Sequence, residues 1–113
     1  MHELSLTEKI LRLVLEQAGN HKAAKITRIK LVIGDLSGII PACVEQYFGL
    51  IAAGTIAAGA KLEFQRSKAE LYCPVCEESF EKRPADFNCP RCGSLAQLTE
   101  SGRECFVESI EVD

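Results

Sequence analysis

The stretch from residue 73 to residue 93 decides the fold. It reads Cys73-Pro-Val-Cys76, then twelve further residues, then Cys89-Pro-Arg-Cys92-Gly93. Two Cys-x-x-Cys pairs at this separation are typical of a zinc ribbon, in which each pair supplies two thiolates from one tight turn. Four thiolates fill the tetrahedral shell of Zn(II) and leave no open position for a catalytic water. We therefore predict a structural zinc site on Cys73, Cys76, Cys89 and Cys92.

A redox role is the alternative for these cysteine pairs. A thioredoxin-like dithiol needs one Cys-x-x-Cys at the start of a helix, and the sequence around these pairs has no helical periodicity. A ribbon of this size has few apolar residues, so metal binding must supply most of its folding free energy. The expected contributors to its small core are Val75, Phe80, Phe87 and Leu95.

One strand is predicted on each side of the cysteine segment. Residues 61–66 alternate charged side chains with Leu62 and Phe64, and residues 105–112 alternate in the same way. A third strand is predicted over residues 24–33, a run rich in β-branched residues that ends at Gly34. The simplest expectation is that the two flanking strands pair with each other and with this strand.

Helical spacing predicts two helices. The first has an apolar stripe and lies between a cap at Ser5 or Thr7 and a stop at Gly19-Asn20. The second opens at Pro41 and continues until Gly54. The expected buried positions are Leu6, Ile10, Leu13, Val14 and Gln17 in the first helix, and Val44, Tyr47, Phe48 and Ile51 in the second.

These elements predict an α+β fold in which a small three-stranded sheet is covered on one face by two helices. The zinc-ribbon module is inserted into this body before the last strand. The predicted division is therefore a discontinuous body of residues 1–69 plus 99–113 and a zinc-ribbon domain of residues 70–98. Cys43 and Cys105 are expected to be buried structural thiols.

Composition limits the functional classes. The 113 residues are 47% hydrophobic and carry a formal net charge of −3, and acidic residues outnumber basic ones six to three between Glu70 and Glu100. A nucleic-acid partner is not expected, because nucleic-acid binding is favoured by a basic protein surface. No signal peptide or 18-residue apolar run is evident, so we expect a cytoplasmic protein with reduced thiols and no membrane association.

The first three residues, Met1-His2-Glu3, form a compact set of nitrogen donors. The α-amine, the amide nitrogen of His2 and its imidazole can close fused chelate rings around one ion. Such a set suits nickel(II) or copper(II) in a square-planar arrangement. The alternative is that His2 is an ordinary surface histidine at a frayed terminus. His21 follows the first helix without a partner at metal-ligand spacing and is expected to be a solvated loop residue.

Four segments together resemble the HypA/HybF family of hydrogenase nickel-incorporation proteins. They are Met-His-Glu-Leu-Ser-Leu at residues 1–6, Ile33-Gly-Asp-Leu-Ser-Gly38, the two cysteine pairs, and Ser109-Ile-Glu-Val112. The resemblance covers the whole chain and keeps the order and separations of the motifs. It favours His2 as a ligand over His2 as an ordinary surface residue.

The resemblance implies a metallochaperone that binds nickel(II) through His2, with Met1 and Glu3 beside it, and holds Zn(II) on the four cysteines. It further implies a partner GTPase and delivery of nickel to the precursor of a [NiFe]-hydrogenase large subunit. Family members often have an acidic residue before the proline that opens the second helix, and this chain has Ile40 there. Asp35 and Glu45 are the nearby candidates for the fourth nickel ligand.

Two functional classes stay open at this stage. The favoured one is the nickel metallochaperone, and the other is a zinc-ribbon adaptor without a nickel site of its own. An enzyme is not expected, since the sequence shows no nucleophile with a positioned base, no phosphate-binding loop and no open metal site. Monomer and homodimer are both compatible with the sequence.

Overall fold

The computed structural model describes residues 2–83 and 85–113. Met1 and the side chain of His2 lie outside what it describes, so the predicted nickel ligands on them are not located. The elements follow one another as α1 (His2–Asn20), β1 (Ile26–Gly34), α2 (Pro41–Ile51), β2 (Lys61–Ser67), β3 (Glu70–Cys73), β4 (Glu78–Glu81), β5 (Gln97–Leu98) and β6 (Cys105–Val112).

The first sheet has three strands in the order β2-β1-β6. Strand β2 runs parallel to β1, with Ile29 beside Leu62, and β6 runs antiparallel to β1, with Ile29 beside Ile110. The α+β class with a three-stranded sheet is confirmed, but the expected pairing of β2 with β6 is wrong. The reason is composition: β1 is the most apolar strand and is best buried in the centre, between two strands that carry more charge.

Strand β6 contains a β-bulge. Lys30 lies beside Ser109 and Leu31 lies beside Val107, so Glu108 is an extra residue with no partner of its own on β1. A bulge of this kind shifts the alternation of the strand by one residue. The shift keeps both Val107 and Ile110 in contact with the core, although their spacing of three would otherwise put them on opposite faces of the sheet.

Helix α1 begins at His2, several residues before the predicted cap at Ser5 or Thr7. Its buried face is also rotated from the prediction: Leu13 and Gln17 are exposed, while Thr7 and Ala18 are fully buried. The hydroxyl of Thr7 donates to the carbonyl oxygen of Glu3 at 2.5 Å, which lets a polar residue sit in the apolar interface. The buried side chains of α1 are therefore Thr7, Ile10, Val14 and Ala18.

Helix α2 begins at Pro41, as predicted, and ends at Ile51, three residues before Gly54. Its cap position is Ile40, which makes no side-chain hydrogen bond to the helix. Val44 and Phe48 are buried against α1 and the sheet, whereas Tyr47 and Ile51 are half-buried. The shared core is formed by Ile10, Val14, Ala18, Ile26, Ile29, Leu31, Val44, Phe48, Ala52 and Ala57.

A second three-stranded sheet, in the order β4-β3-β5, carries the cysteine segment. The predicted apolar core of this part is wrong at three of its four positions, because Val75 and Leu95 are 67% and 72% exposed and Phe87 is also exposed, whereas Phe80 is half-buried. Leu71, Cys73 and Cys89 are buried instead. With so little apolar burial, the cysteine cluster itself must hold this part of the chain together. The division into residues 70–98 and the remaining body stays a prediction.

The segment Ile33-Gly-Asp-Leu-Ser-Gly38 joins the two sheets. The amide of Asp35 donates to the carbonyl of Ser67 at 2.9 Å, where the chain leaves β2, and the amide of Leu36 donates to the carbonyl of Gly102 at 2.6 Å, where the chain returns to β6. The amide of Gly34 donates to Glu104 at 2.7 Å. This motif therefore forms backbone hydrogen bonds with both connections between the first sheet and the cysteine segment.

Helix α1 and strand β1 are joined by a short connection and pack against each other through the core, so they run in opposite directions. Since 19 helical residues and 9 strand residues both span about 30 Å, the start of α1 lies at the same end of the body as the end of β1. None of the described helices is long and apolar enough to cross a membrane.

Candidate metal centre

Cys73, Cys76, Cys89 and Cys92 form one compact cluster. Their Sγ atoms all lie within 4.8 Å of one another, with 3.6 Å between Cys73 and Cys92 and 4.0 Å between Cys76 and Cys89. Cys73 and Cys89 are buried, Cys76 is half-buried and Cys92 is exposed. Among the residues that the structure describes, no other group of His, Cys, Asp or Glu is arranged to hold a metal ion.

The two Cys-x-x-Cys turns share the same carbonyl hydrogen bond, although the amide that donates to sulfur lies three positions after Cys73 and two positions after Cys89. In the first, the amides of Cys76 and Glu77 donate to Cys73, to its Sγ at 3.4 Å and to its carbonyl at 2.8 Å. In the second, the amides of Arg91 and Gly93 donate to Cys89, to its Sγ at 3.4 Å and to its carbonyl at 2.9 Å.

The residue after each second ligand has a positive φ. Gly93 has φ 77°, and Glu77 has φ 55° at the equivalent place in the first turn. Glycine adopts this conformation without a steric penalty, whereas glutamate adopts it only at a cost. The first turn is therefore more strained than the second.

The cluster fits zinc. Zn–S bonds of about 2.3 Å in a tetrahedron place the sulfur atoms about 3.8 Å apart. The two measured separations of 3.6 and 4.0 Å bracket that value. Four thiolates from two turns match the donor set and geometry of a structural zinc site and leave no room for a fifth ligand.

The thiols of the cluster differ in acidity. Hydrogen bonds from the side chain and backbone of Ser94 lower the pKa of Cys92 to about 6. Hydrogen bonding with Cys92, assisted by desolvation, raises the pKa of Cys76 to about 12. Ser94 therefore favours the thiolate form of Cys92, which is the form that binds a metal.

Cys43 and Cys105 are not part of the cluster. Both are half-buried rather than buried, so the expectation of two buried thiols is too strong. Burial is still enough to raise the pKa of the Cys105 thiol above its ordinary value. His21 lies exposed in the turn after α1, as expected.

The predicted nickel ligands lie at the start of α1. His2 is the first helical residue, and Glu3 is the acidic residue of the first turn, with a half-buried side chain. Of the candidates for a fourth ligand, Asp35 lies after β1 and accepts a hydrogen bond from Arg66 at 3.0 Å. Glu45 lies on the exposed side of α2, and Ile40 offers no ligand atom.

The sequence matches the profile of the HypA family over residues 1–112. The chain belongs to the HypA family. The description of that family is hydrogenase/urease nickel incorporation, metallochaperone. It names a metallochaperone rather than an enzyme, and the four-cysteine cluster described above fits the structural zinc site expected from the sequence.

Relatives among characterised HypA proteins cover the whole chain. The hydrogenase maturation factor HypA of Dehalococcoides mccartyi is 42% identical over 113 residues, which are 100% of this chain and 95% of that protein. The hydrogenase maturation factor HypA of Caldanaerobacter subterraneus subsp. tengcongensis is 39% identical over 114 residues, with 100% of both chains covered.

Two solved structures share the fold. A solution structure of a HypA protein superimposes with a TM-score of 0.71 at 28% identity, covering 99% of this chain and 96% of that chain. The solution structure of the Ni metallochaperone HypA from Helicobacter pylori gives a TM-score of 0.65 at 25% identity, covering 97% and 96%. The family expected from the sequence motifs is thereby confirmed.

Sequence reasoning missed two residues at these sites. Ser94 acidifies Cys92, and its signal was available as a hydroxyl residue two positions after the last ligand. Thr7 anchors the first turn of α1 through the carbonyl of Glu3, whereas the sequence predicts Thr7 as a possible helix cap. Threonine is common on exposed helix faces, so its identity alone does not indicate that position 7 is buried.

Proposed function

We propose that this chain binds nickel(II) at its N-terminus and passes it to the precursor of a [NiFe]-hydrogenase large subunit, with the help of the GTPase of that pathway. Membership of the HypA family carries the proposal. The proposed ligands are the amine of Met1, the amide and imidazole nitrogens of His2, and the carboxylate of Glu3. Nickel is the cargo of this protein and not a resident cofactor.

The position of His2 at the start of α1 supports this ligand set. The first four amides of a helix have no intrahelical acceptor. The His2 amide can therefore lose its proton and bind nickel without breaking a hydrogen bond of the helix. An amide deeper in α1 would be occupied by the carbonyl four residues before it.

The same position limits how tightly nickel is held. A helix N-terminus carries a partial positive charge that disfavours a bound cation. The negative charges of the deprotonated amide and of Glu3 oppose this effect. A site at one end of a helix can also be dismantled one ligand after another by a recipient protein. Moderate affinity and stepwise release are the properties that a carrier needs.

The four-cysteine site has the opposite character, and we propose that it holds a permanent structural Zn(II). Its ligands come from two rigid turns and two of them are buried, so a recipient cannot reach them in sequence. Because α1 starts at the end of the body where the Ile33–Gly38 motif joins the two sheets, a partner that takes up nickel there can contact the zinc part at the same time.

The test is nickel titration of zinc-loaded protein by calorimetry, with His2→Ala compared with His21→Ala. The control removes an exposed imidazole from the other end of α1. We expect about one nickel ion per chain, an affinity at least about tenfold lower for His2→Ala, and no change for His21→Ala. Zinc content and fold should be unchanged in both variants.

The adaptor alternative predicts a different outcome. If the chain only presents a zinc ribbon to a partner, His2→Ala leaves nickel binding and hydrogenase maturation at the level of the unmodified protein. Loss of maturation in cells with His2→Ala, together with normal zinc content, supports the carrier. Equal maturation with both histidine variants contradicts it.

A further inference from the structure

Thr7 is the one polar residue that is buried in the described part of the chain. It lies on the core-facing stripe of α1, one turn before Ile10, and the next buried positions of that stripe, Val14 and Ala18, are also apolar. Valine has the same branched shape and could fill this position without a polar group that needs a partner. Packing alone therefore does not explain the hydroxyl of Thr7.

The hydroxyl of Thr7 donates to the carbonyl oxygen of Glu3, one turn earlier, at 2.5 Å. In the helix, that carbonyl also accepts from the backbone amide of Thr7. A threonine that bonds to the carbonyl four residues before it slightly destabilises a helix rather than strengthening it. The hydrogen bond is therefore not a general device for helix stability, and its effect is local to the first turn.

This hydrogen bond couples the first turn of α1 to the core. The amides of a first turn have no intrahelical acceptor, so a helix opens most easily at its ends. If Glu3 left the helical conformation, the Thr7 hydroxyl would lose its acceptor while its side chain stayed buried away from water. An unsatisfied buried hydroxyl shifts an equilibrium by about tenfold, so the open first turn is disfavoured by about that factor.

The conformation of Glu3 matters because Glu3 is a proposed nickel ligand. In an α-helix every Cα–Cβ bond tilts toward the N-terminus, so a helical Glu3 directs its side chain toward the residues that precede it. Those residues, Met1 and His2, supply the proposed nitrogen ligands. Outside the helical conformation the carboxylate has many other directions, and bringing it to the ion costs conformational entropy.

We propose that Thr7 is a positioning residue for the nickel site. Through its hydrogen bond to the Glu3 carbonyl it keeps the first turn helical, so that the Glu3 carboxylate is already aimed when nickel arrives. Thr7 is not a ligand, since its side chain is buried on the core-facing stripe of α1. A ligand set that is ordered in advance binds more tightly than one that nickel itself must order. The proposal rests on the nickel site proposed above and adds a residue that tunes it.

The test is a pair of substitutions that separate the hydroxyl of Thr7 from its methyl group. Thr7→Val removes the hydroxyl and keeps the shape, so calorimetry of zinc-loaded protein should show about tenfold weaker nickel binding with an unchanged urea midpoint. Thr7→Ser keeps the hydroxyl and loses a buried methyl, so nickel affinity should stay within about twofold while the urea midpoint falls. A merely structural residue would lower both quantities together.

A second experiment shows whether Thr7 acts through Glu3. Glu3→Gln keeps the size of the side chain but removes its charge. In this background Thr7→Val should weaken nickel binding by less than in the unmodified chain, because the ligand that it positions is already impaired. Hydrogen exchange at the amides of Leu6 and Thr7 should be about tenfold faster in Thr7→Val, with exchange at Val14 unchanged, since only the first turn opens.

Thr55→Val is the matched control. The hydroxyl of Thr55 also donates to a backbone carbonyl, that of Ala52 at 2.7 Å, but it lies in the connection after α2. Its removal should lower the urea midpoint and leave nickel affinity unchanged. An equal loss of nickel affinity in Thr55→Val and Thr7→Val would overturn the proposal, because any lost hydroxyl would then have the same effect.

His2→Ala, measured in the same series, separates this proposal from the proposed function. Nickel binding that depends on His2 but is equal in Thr7→Val and the unmodified chain would overturn the role of Thr7 alone. Nickel binding weakened equally in Thr7→Ser and Thr7→Val would do the same, since the hydroxyl would not be the group that matters. Nickel binding that does not depend on His2 would overturn both proposals.

Discussion

Gly34 and Gly102 touch at the point where the two sheets are joined. A Cβ atom on Gly34 would lie 2.2 Å from the carbonyl oxygen of Gly102, far inside the van der Waals limit. Gly102 is itself pressed against Ala69, since a Cβ on Gly102 would lie 2.7 Å from the Cβ of Ala69. The backbones at this junction are as close as the absence of side chains permits.

Gly34→Ala should therefore destabilise the protein. The added methyl meets backbone rather than a flexible side chain, so β1 and the returning strand must separate and weaken the hydrogen bond from Leu36 to Gly102. We expect a loss of about 2 kcal/mol in the free energy of unfolding, the usual cost of overpacking. Urea denaturation of the zinc-loaded protein measures it.

Gly19→Ala is the control for this substitution. Nothing lies within 4 Å of a Cβ at Gly19, which is inside helix α1, so alanine should raise stability by about 0.5–1 kcal/mol. A similar loss of stability in both variants would show that the close approach at the junction is not what matters.

Substitutions at Glu77 and at Gly93 should change zinc affinity in opposite directions. Gly93→Ala introduces a Cβ at φ 77° and should weaken zinc retention by about 1 kcal/mol, whereas Glu77→Gly relieves the same strain at φ 55°. Competition with a chelator measures zinc affinity in each variant. Weaker zinc binding in Glu77→Gly than in the unmodified chain would contradict the equivalence of the two turns.

Removal of zinc should unfold the cysteine segment and leave the rest of the chain folded. Leu71 is the one large apolar side chain fully buried among the described residues of β3, β4 and β5, whereas the body has ten buried core residues of its own. After chelation we expect fast hydrogen exchange at the amides of Leu71 and Tyr72 and continued protection at Ile29 and Leu31. Loss of protection in both sheets would show that they fold as one unit and would contradict the predicted domain division.

Cys105 should react slowly with alkylating reagents. Burial raises the pKa of its thiol, so less of the reactive thiolate is present at a given pH than in an unfolded chain. Because the fraction of thiolate grows as the pH increases toward that raised pKa, the rate of alkylation of Cys105 should rise with pH. At pH 8 we expect alkylation at least about tenfold slower in folded than in urea-unfolded protein, measured by peptide mass spectrometry. Equal rates would contradict the burial.

The sequence predicted what depends on local pattern. The spacing of Cys73, Cys76, Cys89 and Cys92 indicated their cluster, because two thiolates from each tight turn have few other arrangements. The β-branched run over residues 24–33 indicated a strand, which the structure places at Ile26–Gly34. Proline marked the start of α2.

What the sequence did not predict depends on contacts between distant segments. The choice of β1 as the common partner of β2 and β6 follows from the burial of Ile29, Leu31 and Ile33 between two more polar strands, which local alternation does not reveal. The buried stripe of α1 was misassigned because Thr7 satisfies its hydroxyl inside the helix. The pairing of Asp35 with Arg66 joins residues 31 positions apart. No periodicity reports such a contact.

The most direct test of the account is nickel binding by a chain whose own amine has been moved. Three extra glycines before Met1 leave His2, Glu3 and the zinc site in place but remove the five-membered chelate ring between the Met1 amine and the His2 amide, and they do not bring the new amine to the position two residues before His2 that would complete another chelate. We predict that calorimetry at pH 7.5 will show at least about tenfold weaker nickel binding for the extended protein, with unchanged zinc content. Equal nickel affinity in the two proteins would contradict the central claim that the N-terminus itself holds the ion.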